Sequence, residues 1–241
     1  MKSLRCRDNW LQKGEFMDHP AAAAGEVEDA ELTRTLLELS FVHRWFGGRR
    51  GTWAGLDLVR GNLGSGFSLL DVGSGGGDLA HVVADWSCKN GLRSRTMLMD
   101  FSHAICLESR TMLSSKSTVL QSDAQFLPFR EKCIDIVHFG LFLHHFSTEV
   151  AAHILTQAHA IARRAVIVND LHRHAVPYLA TRAGIHLSRS EMVRHDAPIS
   201  VGRGFRRADL QEIAGHAGFR WNHLLRVWPY RWVAVKIVGS S

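Results

Sequence analysis

Short apolar runs alternate with helically spaced apolar positions through the middle of the chain. The run from Phe67 to Val72 leads into a glycine-rich turn, as a buried parallel strand does before a helix. Later short runs cover residues 95–100, 117–121, 135–141 and 165–168, and stretches with helical spacing follow the first and the third of them. This alternation predicts an α/β protein with a doubly wound, mostly parallel sheet.

The alternation is interrupted at residues 171–206, which carry irregularly spaced histidines, arginines, prolines and a glycine. We interpret this interval as an insertion that contains a helix and follows the fifth strand. Residues 208–217 regain helical spacing. Residues 219–227 and 230–238 are then predicted to form an antiparallel hairpin about Trp228-Pro229. The whole pattern predicts a Rossmann-like sheet of seven strands.

Residues 1–62 precede the first predicted strand, and we interpret them as a helical cap on a domain of residues 63–241. Residues 1–14 are polar and basic, and we expect them to be poorly ordered. Apolar residues recur at helical spacing from Glu26 to Phe46, and Gly47-Gly48 then ends the helix. The cap could cover a substrate site or simply complete the core, and the pattern leaves both open.

The turn after the first predicted strand has the composition of a ligand-binding turn. Gly73, Gly75 and Gly77 stand at every second position. Glycine permits positive φ and lets a ligand approach without meeting a Cβ, while the following helix directs its free N–H groups at the turn. A dinucleotide-binding turn has its third glycine one position later, where this chain has Asp78. The spacing is therefore G-x-G-x-G, with Asp71 two positions before the first glycine.

This turn resembles motif I of the class I S-adenosylmethionine-dependent methyltransferases, and later segments resemble the motifs that follow it. Asp100 stands where the family has an acidic residue that accepts hydrogen bonds from both ribose hydroxyls. Ser122–Phe129 resembles the adenine loop, with Asp123 receiving the adenine amino group. Asp135–Phe146, with its adjacent histidines, resembles the ubiquinone and menaquinone biosynthesis subgroup. The resemblance covers about residues 67–238.

The resemblance implies an enzyme that binds S-adenosylmethionine and releases S-adenosylhomocysteine. The structural alternatives are that Asp100 caps a helix and that Asp123 only stabilises a turn. On the resemblance, the predicted cofactor contacts are Asp71, Gly73, Ser74, Gly75, Gly77, Asp100, Phe101, Asp123, Ala124 and Phe139.

Histidines are the candidates for removing a proton from an acceptor, because imidazole titrates near neutral pH. His144 and His145 follow the fourth predicted strand, at the edge where open α/β sheets bind ligands. We take them as candidate catalytic bases and prefer His145; the alternative is that they pack or hold a backbone carbonyl. The residues assigned to acceptor binding are His172, His174, Tyr178 and Trp45.

A magnesium site of the catechol O-methyltransferase type requires carboxylates that this chain lacks. That family has an aspartate after the fourth strand and an Asp-Asn pair after the fifth. Here Gly140-Leu141 occupies the first place, and Asn169-Asp170 has the reverse order. We therefore predict no metal.

Composition and charge limit the kinds of partner that the protein could bind, but they do not distinguish between folds. The net charge of +6 comes from scattered arginines, without a basic block or an aromatic-interleaved stripe, so a nucleic-acid partner is not favoured. No apolar run approaches the roughly 20 residues that span a bilayer. Four cysteines without C-x-x-C spacing predict reduced thiols and a cytoplasmic protein. We expect a monomer or a homodimer.

The function predicted from these observations is methyl transfer to an O or C centre of a small acceptor of aromatic, quinone or polyketide-like type. One alternative is a macromolecular acceptor, RNA or protein. The N-P-P-[YF] motif of amino-group methylation is, however, replaced by Phe139–Leu143. The other alternative is a non-catalytic protein that keeps the cofactor fold.

Overall fold

A computed structural model describes residue 4 and residues 6–15, 34–36, 47–112, 118–184 and 188–239. Most of the predicted helix at residues 26–46, and Trp45 with it, lies outside these ranges. The helices of the described part are α1 (Asp8–Leu11), α2 (Gly48–Val59), α3 (Asp78–Lys89), α4 (His103–Met112), α5 (Thr148–Ile161), α6 (Ala175–Gly184), α7 (Glu191–Arg203) and α8 (Arg207–His216). The strands are β1 (Gly66–Val72), β2 (Arg93–Asp100), β3 (Thr118–Gln121), β4 (Ile134–Gly140), β5 (Ala162–Leu171), β6 (His223–Val227) and β7 (Arg231–Ile237).

The seven strands form one sheet in the order β3-β2-β1-β4-β5-β7-β6. Strands β1 to β5 are parallel, and β7 runs antiparallel to both β5 and β6. The predicted doubly wound fold with a C-terminal antiparallel hairpin is confirmed. The order reverses at β1, so the carboxyl ends of β1, β2, β4 and β5 form the edge where such sheets bind ligands.

Alternate residues of the central strands enter two separate cores, because successive side chains point to opposite faces. Leu70 and Phe139 belong to a cluster that includes the buried faces of α5 and α8. Leu69 and Ile167 belong to a cluster with α2 and α3. Both faces of the central strands are therefore covered, which explains their nearly continuous apolar sequence.

Helix α2 lies against β5 and β7, close to the sheet because of two small residues. A Cβ on Gly55 would run into the side chain of Ile167, and a Cβ on Gly51 would run into the amide of Asn169. Glycine at these positions lets the helix approach the strands. Helix α2 thus forms part of the α/β layers, although it lies within the predicted cap of residues 1–62.

The prediction of poor order for residues 1–14 is wrong for residues 6–14. Arg7 and Trp10 are buried, and the Trp10 ring lies where a Cβ on Gly202 of α7 would be. The Trp10 ring also contacts Tyr178 of α6 edge to face, with 5.5 Å between centroids. Because the segment is mostly polar, its sequence did not indicate that Arg7 and Trp10 are buried.

The insertion after the fifth strand holds two helices, α6 and α7, where one was predicted. Strand β5 also continues to Leu171, three residues past its predicted end. Asn169 and Asp170 consequently lie within the strand, paired with Val233 and Trp232 of β7. Their side chains are therefore fixed by the sheet.

Candidate active site

The glycine turn between β1 and α3 is closed on one side and open on the other. The amides of Gly73 and Ser74 donate to the carbonyl of Met99 in β2, at 2.8 and 3.0 Å. Gly73 and Gly75 have φ of 70° and 51°, which favours glycine. A Cβ on Gly73 would collide with the ring of Phe142, whereas a Cβ on Gly75 would meet nothing within 4 Å. The segment after β4 therefore packs on the first glycine, and free space borders the second.

Asp100 reaches from the end of β2 back to the glycine turn. Its carboxylate accepts from the amide of Gly75 at 3.0 Å and from the amide of Ser102 at 3.1 Å. Burial raises the pKa of Asp100 above its ordinary value, although these amide hydrogen bonds act in the opposite direction. A carboxylate can accept about four hydrogen bonds, so further donors can be accommodated. The cap of α4 is Ser102, whose hydroxyl accepts from the Ile105 amide at 3.3 Å.

The predicted adenine loop is a tight turn beside an exposed aromatic ring. Asp123 accepts from the amide of Gln125 at 2.8 Å, so one of its oxygens holds the turn. Ala124 is buried, while Phe101, which follows Asp100 directly, is mostly exposed. The Phe101 ring is available to cover a flat group.

Phe139 lies on β4 as predicted, but its side chain is not accessible to a cofactor. Its side chain is fully buried, and its ring stacks on Phe142 with 6.2 Å between centroids. A residue with no exposed atoms offers nothing for a cofactor to contact. Phe139 therefore belongs to the core, and its predicted cofactor contact is corrected here.

Asp71 is held in place by a series of buried hydrogen bonds that the sequence did not predict. His138 lies opposite Asp71 in the sheet and donates to its carboxylate through Nδ1 at 3.0 Å. The other ring nitrogen of His138 lies 3.2 Å from the hydroxyl of Thr52 in α2. Asn169 donates to that hydroxyl at 3.1 Å and to the carbonyl of Gly48 at 2.8 Å. These hydrogen bonds fix Asp71 and tie α2 to β1, β4 and β5.

The two candidate bases lie in a short 3-10 turn directly after β4. Leu141, which precedes this turn, has φ of 55°, a strained value for a bulky side chain. His144 is buried and donates through Nδ1 to the carboxylate of Asp170 at 2.7 Å. Its ring lies against that of His145, with 4.2 Å between centroids. A histidine held by a carboxylate in this way has a fixed ring orientation and tautomer.

The N-terminal segment supplies the groups that face His145. The buried carboxylate of Glu15 lies 3.5 Å from His145 Nδ1 and 3.3 Å from a guanidinium nitrogen of Arg203. Arg7 donates to the carbonyl of Phe146, next to the histidine turn, and to the carbonyl of Arg203. The histidine turn is thus closed over by a segment far away in sequence.

The residues assigned to acceptor binding fall into two groups. His174 stacks on Tyr230 at 5.1 Å between centroids, and His172 lies 5.3 Å from the ring of Trp232. Burial, with nearby His174 and arginines, lowers the pKa of His172 to about 4, so this ring is neutral near pH 7. Tyr178 belongs to the other group, with Trp10.

The comparison with known protein families shows which class of enzyme the chain belongs to. Residues 69–196, more than half of the chain, match the model of a family described as a methyltransferase domain. The chain belongs to this methyltransferase family. It is a class I enzyme, and S-adenosylmethionine is its cofactor. No curated protein sequence matches it significantly.

Solved structures similar to this methyltransferase share its fold at low sequence identity. The mitomycin 7-O-methyltransferase MmcR has a TM-score of 0.61 and 18% identity, over 98% of this chain and 67% of its own. A methyltransferase from Aquifex aeolicus gives 0.57 and 14%, over 88% and 99%. The magnesium protoporphyrin IX methyltransferase ChlM from Synechocystis PCC 6803, with bound S-adenosylhomocysteine, gives 0.54 and 18%, over 80% and 82%.

The residues of the glycine turn fit the cofactor of this methyltransferase. The hydroxyl of Ser74 is buried and, among the described residues, has no hydrogen-bond partner. Buried polar groups are normally paired, so this hydroxyl is suited to a polar ligand. Free space borders Gly75, and the carboxylate of Asp100, which accepts from the Gly75 amide, can accept further hydrogen bonds next to that space.

A group of side chains of the kind that binds metal ions also lies at the histidine turn. Glu15, His144 and His145 each offer a donor atom, all within 4.8 Å of one another. Arg203, however, is already ion-paired with Glu15. This positive charge opposes the binding of a cation, so we retain the absence of a metal as a prediction.

Proposed function

We propose that this methyltransferase acts on an O or C centre of a small acceptor of aromatic, quinone or polyketide-like type, in the manner of the ubiquinone and menaquinone biosynthesis enzymes. The observation that carries the proposal is the pair of carboxylate-held histidines that directly follows β4. Such a pair is suited to taking a proton from a hydroxyl or an acidic carbon. The 7-O-methyltransferase MmcR among the similar structures supports an oxygen acceptor.

We assign the cofactor to the turn at Gly73–Gly77, with Asp100 receiving the ribose hydroxyls and Phe101 and Asp123 beside the adenine. When bound, S-adenosylmethionine supplies a methyl group already activated by the positive sulfonium. The chain then has to orient the acceptor in line with that methyl group and exclude water. Because Phe142 packs on Gly73, the segment that carries the histidines is fixed relative to the turn.

We assign the catalytic base to His145 and a positioning role to His144. The side chain of His145 is 21% exposed, whereas that of His144 is 2% exposed, so an acceptor can reach His145. Glu15 faces Nδ1 of His145 and would stabilise the ring after it takes up a proton, as the carboxylate of a catalytic triad does. His144, held by Asp170, packs against the His145 ring and supports its position.

The acceptor is proposed to lie between the histidine turn, the N-terminal segment and the insertion. The planar rings of Tyr178 and His174 on the insertion, which pack on Trp10 and Tyr230, are proposed to contact a planar acceptor. In this arrangement residues 6–15 perform the covering role predicted for the cap. No metal takes part, and no nucleic acid is required.

The test is a transfer assay with methyl-labelled cofactor across phenols, quinones and tRNA, using the wild type, His145→Gln and His81→Gln. His81 is an exposed histidine on α3 and serves as the matched control. We expect methylated phenol or quinone, a kcat about 100-fold lower for His145→Gln, and no change for His81→Gln. Methylation of tRNA alone, or full activity of His145→Gln, would overturn the proposal.

A further inference from the structure

Two segments of this chain contain basic but no acidic residues. Residues 171–190 have three arginines and no aspartate or glutamate, and residues 213–241 have three arginines, one lysine and no acid. The 23 acidic residues of the chain all lie elsewhere. Any surface formed jointly by these segments is therefore positively charged.

The fold brings the two acid-free segments together at the carboxyl edge of β5. Leu171, at the end of β5, pairs with Arg231, at the start of β7. The turn of the β6–β7 hairpin therefore lies beside the chain that leads into α6. Tyr230 of this turn lies 6.1 Å from Trp228 and 5.1 Å from His174, measured between ring centroids.

The joint surface exposes large apolar side chains. Trp228 is 70% exposed, Leu179 61% and Val176 49%. Val176 and Leu179 are three residues apart on α6 and so share one face of the helix, and the amide of Val176 donates to the His174 ring. We call Trp228, Tyr230, Val176 and Leu179 the hairpin–α6 patch. Its segments also carry the exposed arginines Arg182 and Arg226.

Among the described residues, two acidic groups of the neighbouring elements are paired with basic side chains. Asp170 is fully buried and bound to His144, and Asp209 is bound to Arg173 at 2.9 Å. Asp170 and Asp209 therefore do not offset the charges of exposed Arg182 and Arg226, which would attract a partner of opposite charge. Exposed apolar patches bordered by charged residues mark binding surfaces.

We propose that the hairpin–α6 patch docks this protein on the surface of an anionic lipid bilayer. Tryptophan favours the boundary between headgroups and acyl chains, aliphatic side chains insert beside it, and arginines attract anionic headgroups. Among the described residues no helix is long and apolar enough to cross a membrane. The attachment is therefore peripheral.

A second copy of the chain fits this patch less well than a bilayer. In a twofold dimer the same surface faces itself, so the interface would contain Arg182 and Arg226 of both copies. Like charges in that position repel. A nucleic acid would contact the arginines through its phosphates, but these phosphates would make no favourable contact with the exposed side chains of Leu179 and Val176.

The patch adjoins the proposed acceptor site without being part of it. His174 contacts both Tyr230 of the patch and His172. Docking would therefore place the entrance of the acceptor site at the bilayer, where an apolar acceptor is concentrated. Membrane binding itself requires neither cofactor nor acceptor, so it can be tested independently of the proposed methyl transfer.

The experiment is flotation of the full chain with vesicles of phosphatidylcholine alone or mixed with phosphatidylglycerol. Leu179→Ser is compared with Leu107→Ser, a matched change of an exposed leucine on α4 at the far side of the sheet. Trp228→Ser tests the hairpin. The charge variant Arg182→Gln/Arg226→Gln is compared with Arg93→Gln/Arg95→Gln, two exposed arginines on β2.

We expect binding only to vesicles that contain phosphatidylglycerol. Leu179→Ser, Trp228→Ser and the Arg182/Arg226 variant should lower the partition coefficient about tenfold, with the two controls unchanged. Absence of binding, equal binding to neutral vesicles, or equal losses in the controls would overturn the proposal. So would a solution dimer that dissociates in Trp228→Ser and does not bind vesicles.

Discussion

His144 donates two hydrogen bonds to the carboxylate of Asp170, and these connect the ends of β4 and β5. Nδ1 donates at 2.7 Å, and the backbone amide of His144 donates at 3.3 Å. Burial opposes ionisation of this carboxyl, but the charge and hydrogen bond of His144 and the Leu171 amide hold the pKa of Asp170 below its ordinary value. Asp170 is therefore a buried anion.

Replacing Asp170 by asparagine should destabilise the fold strongly. The fully buried guanidinium of Arg231 is attracted to Asp170 and to Asp78, and the change would remove the larger of these two attractions. We expect the free energy of unfolding, from urea denaturation, to fall by about 3–5 kcal/mol. The matched control is Asp85→Asn, which removes an exposed ion pair with Arg49 and should cost less than about 1 kcal/mol. Equal stability of the two variants would contradict the role of Asp170.

Replacing Glu15 by glutamine should slow catalysis without changing cofactor binding. Glu15 faces His145 and Arg203 from the N-terminal segment and is not among the residues assigned to the cofactor. Loss of its charge should lower kcat by up to about 100-fold, because the carboxylate no longer stabilises the His145 ring after it takes up a proton. Calorimetric titration with S-adenosylmethionine checks that the variant is folded and binds normally. Exposed Glu131→Gln is the control, and a pure KM effect would argue against the assignment.

The sequence predicted the fold and the glycine turn because these depend on local patterns. The strand before Gly73, the glycine spacing and the carboxylate at position 100 are all read within a few residues. The hairpin at Trp228-Pro229 was also visible, as two apolar runs around a turn. These features can therefore be predicted without knowledge of tertiary contacts.

The partners of the site residues could not be predicted, because they depend on sheet register and on distant chain segments. His138 meets Asp71 only because β1 and β4 pair in one register. Asp170 was considered only as an incomplete magnesium ligand, since β5 was predicted to end too early. Glu15 approaches His145 across 130 positions of sequence, and its segment has no apolar periodicity to indicate burial.

Replacing Gly75 by alanine should weaken cofactor binding while costing little stability. Gly75 has φ of 51°, and Gly64 has φ of 60°; a Cβ on either would meet nothing within 4 Å. Both alanine variants therefore carry a similar backbone strain of about 1–2 kcal/mol. Only Gly75→Ala should raise the dissociation constant of S-adenosylmethionine, by about tenfold or more, because its Cβ enters the space assigned to the cofactor. Equal affinities would place the cofactor elsewhere.

Cofactor affinity should fall at acidic pH through Asp100. Ribose hydroxyls donate to an ionised carboxylate, and protonation removes that acceptor. Because burial raises the pKa of Asp100 above its ordinary value, the loss should begin at higher pH than for an exposed aspartate. Asp100→Asn can still accept from the Gly75 amide and should bind about tenfold more weakly, with little pH dependence. Titration calorimetry across pH measures both, and an unchanged pH profile in Asp100→Asn would exclude this role.

Stability should fall between pH 6.5 and about 4 because His172 resists protonation in the folded state. Burial, His174 and nearby arginines lower the pKa of His172 to about 4, from 6.5 in the unfolded chain. Between these values the unfolded chain binds a proton that the folded chain does not, so acid favours unfolding. The arginines stay charged throughout this range, and His159, whose pKa is also lowered, contributes separately. His172→Phe keeps an aromatic ring beside Trp232 and should lose less stability over this range than the wild type or His81→Phe, as thermal unfolding at each pH would show. Parallel losses in all three proteins would mean that the acid sensitivity arises elsewhere.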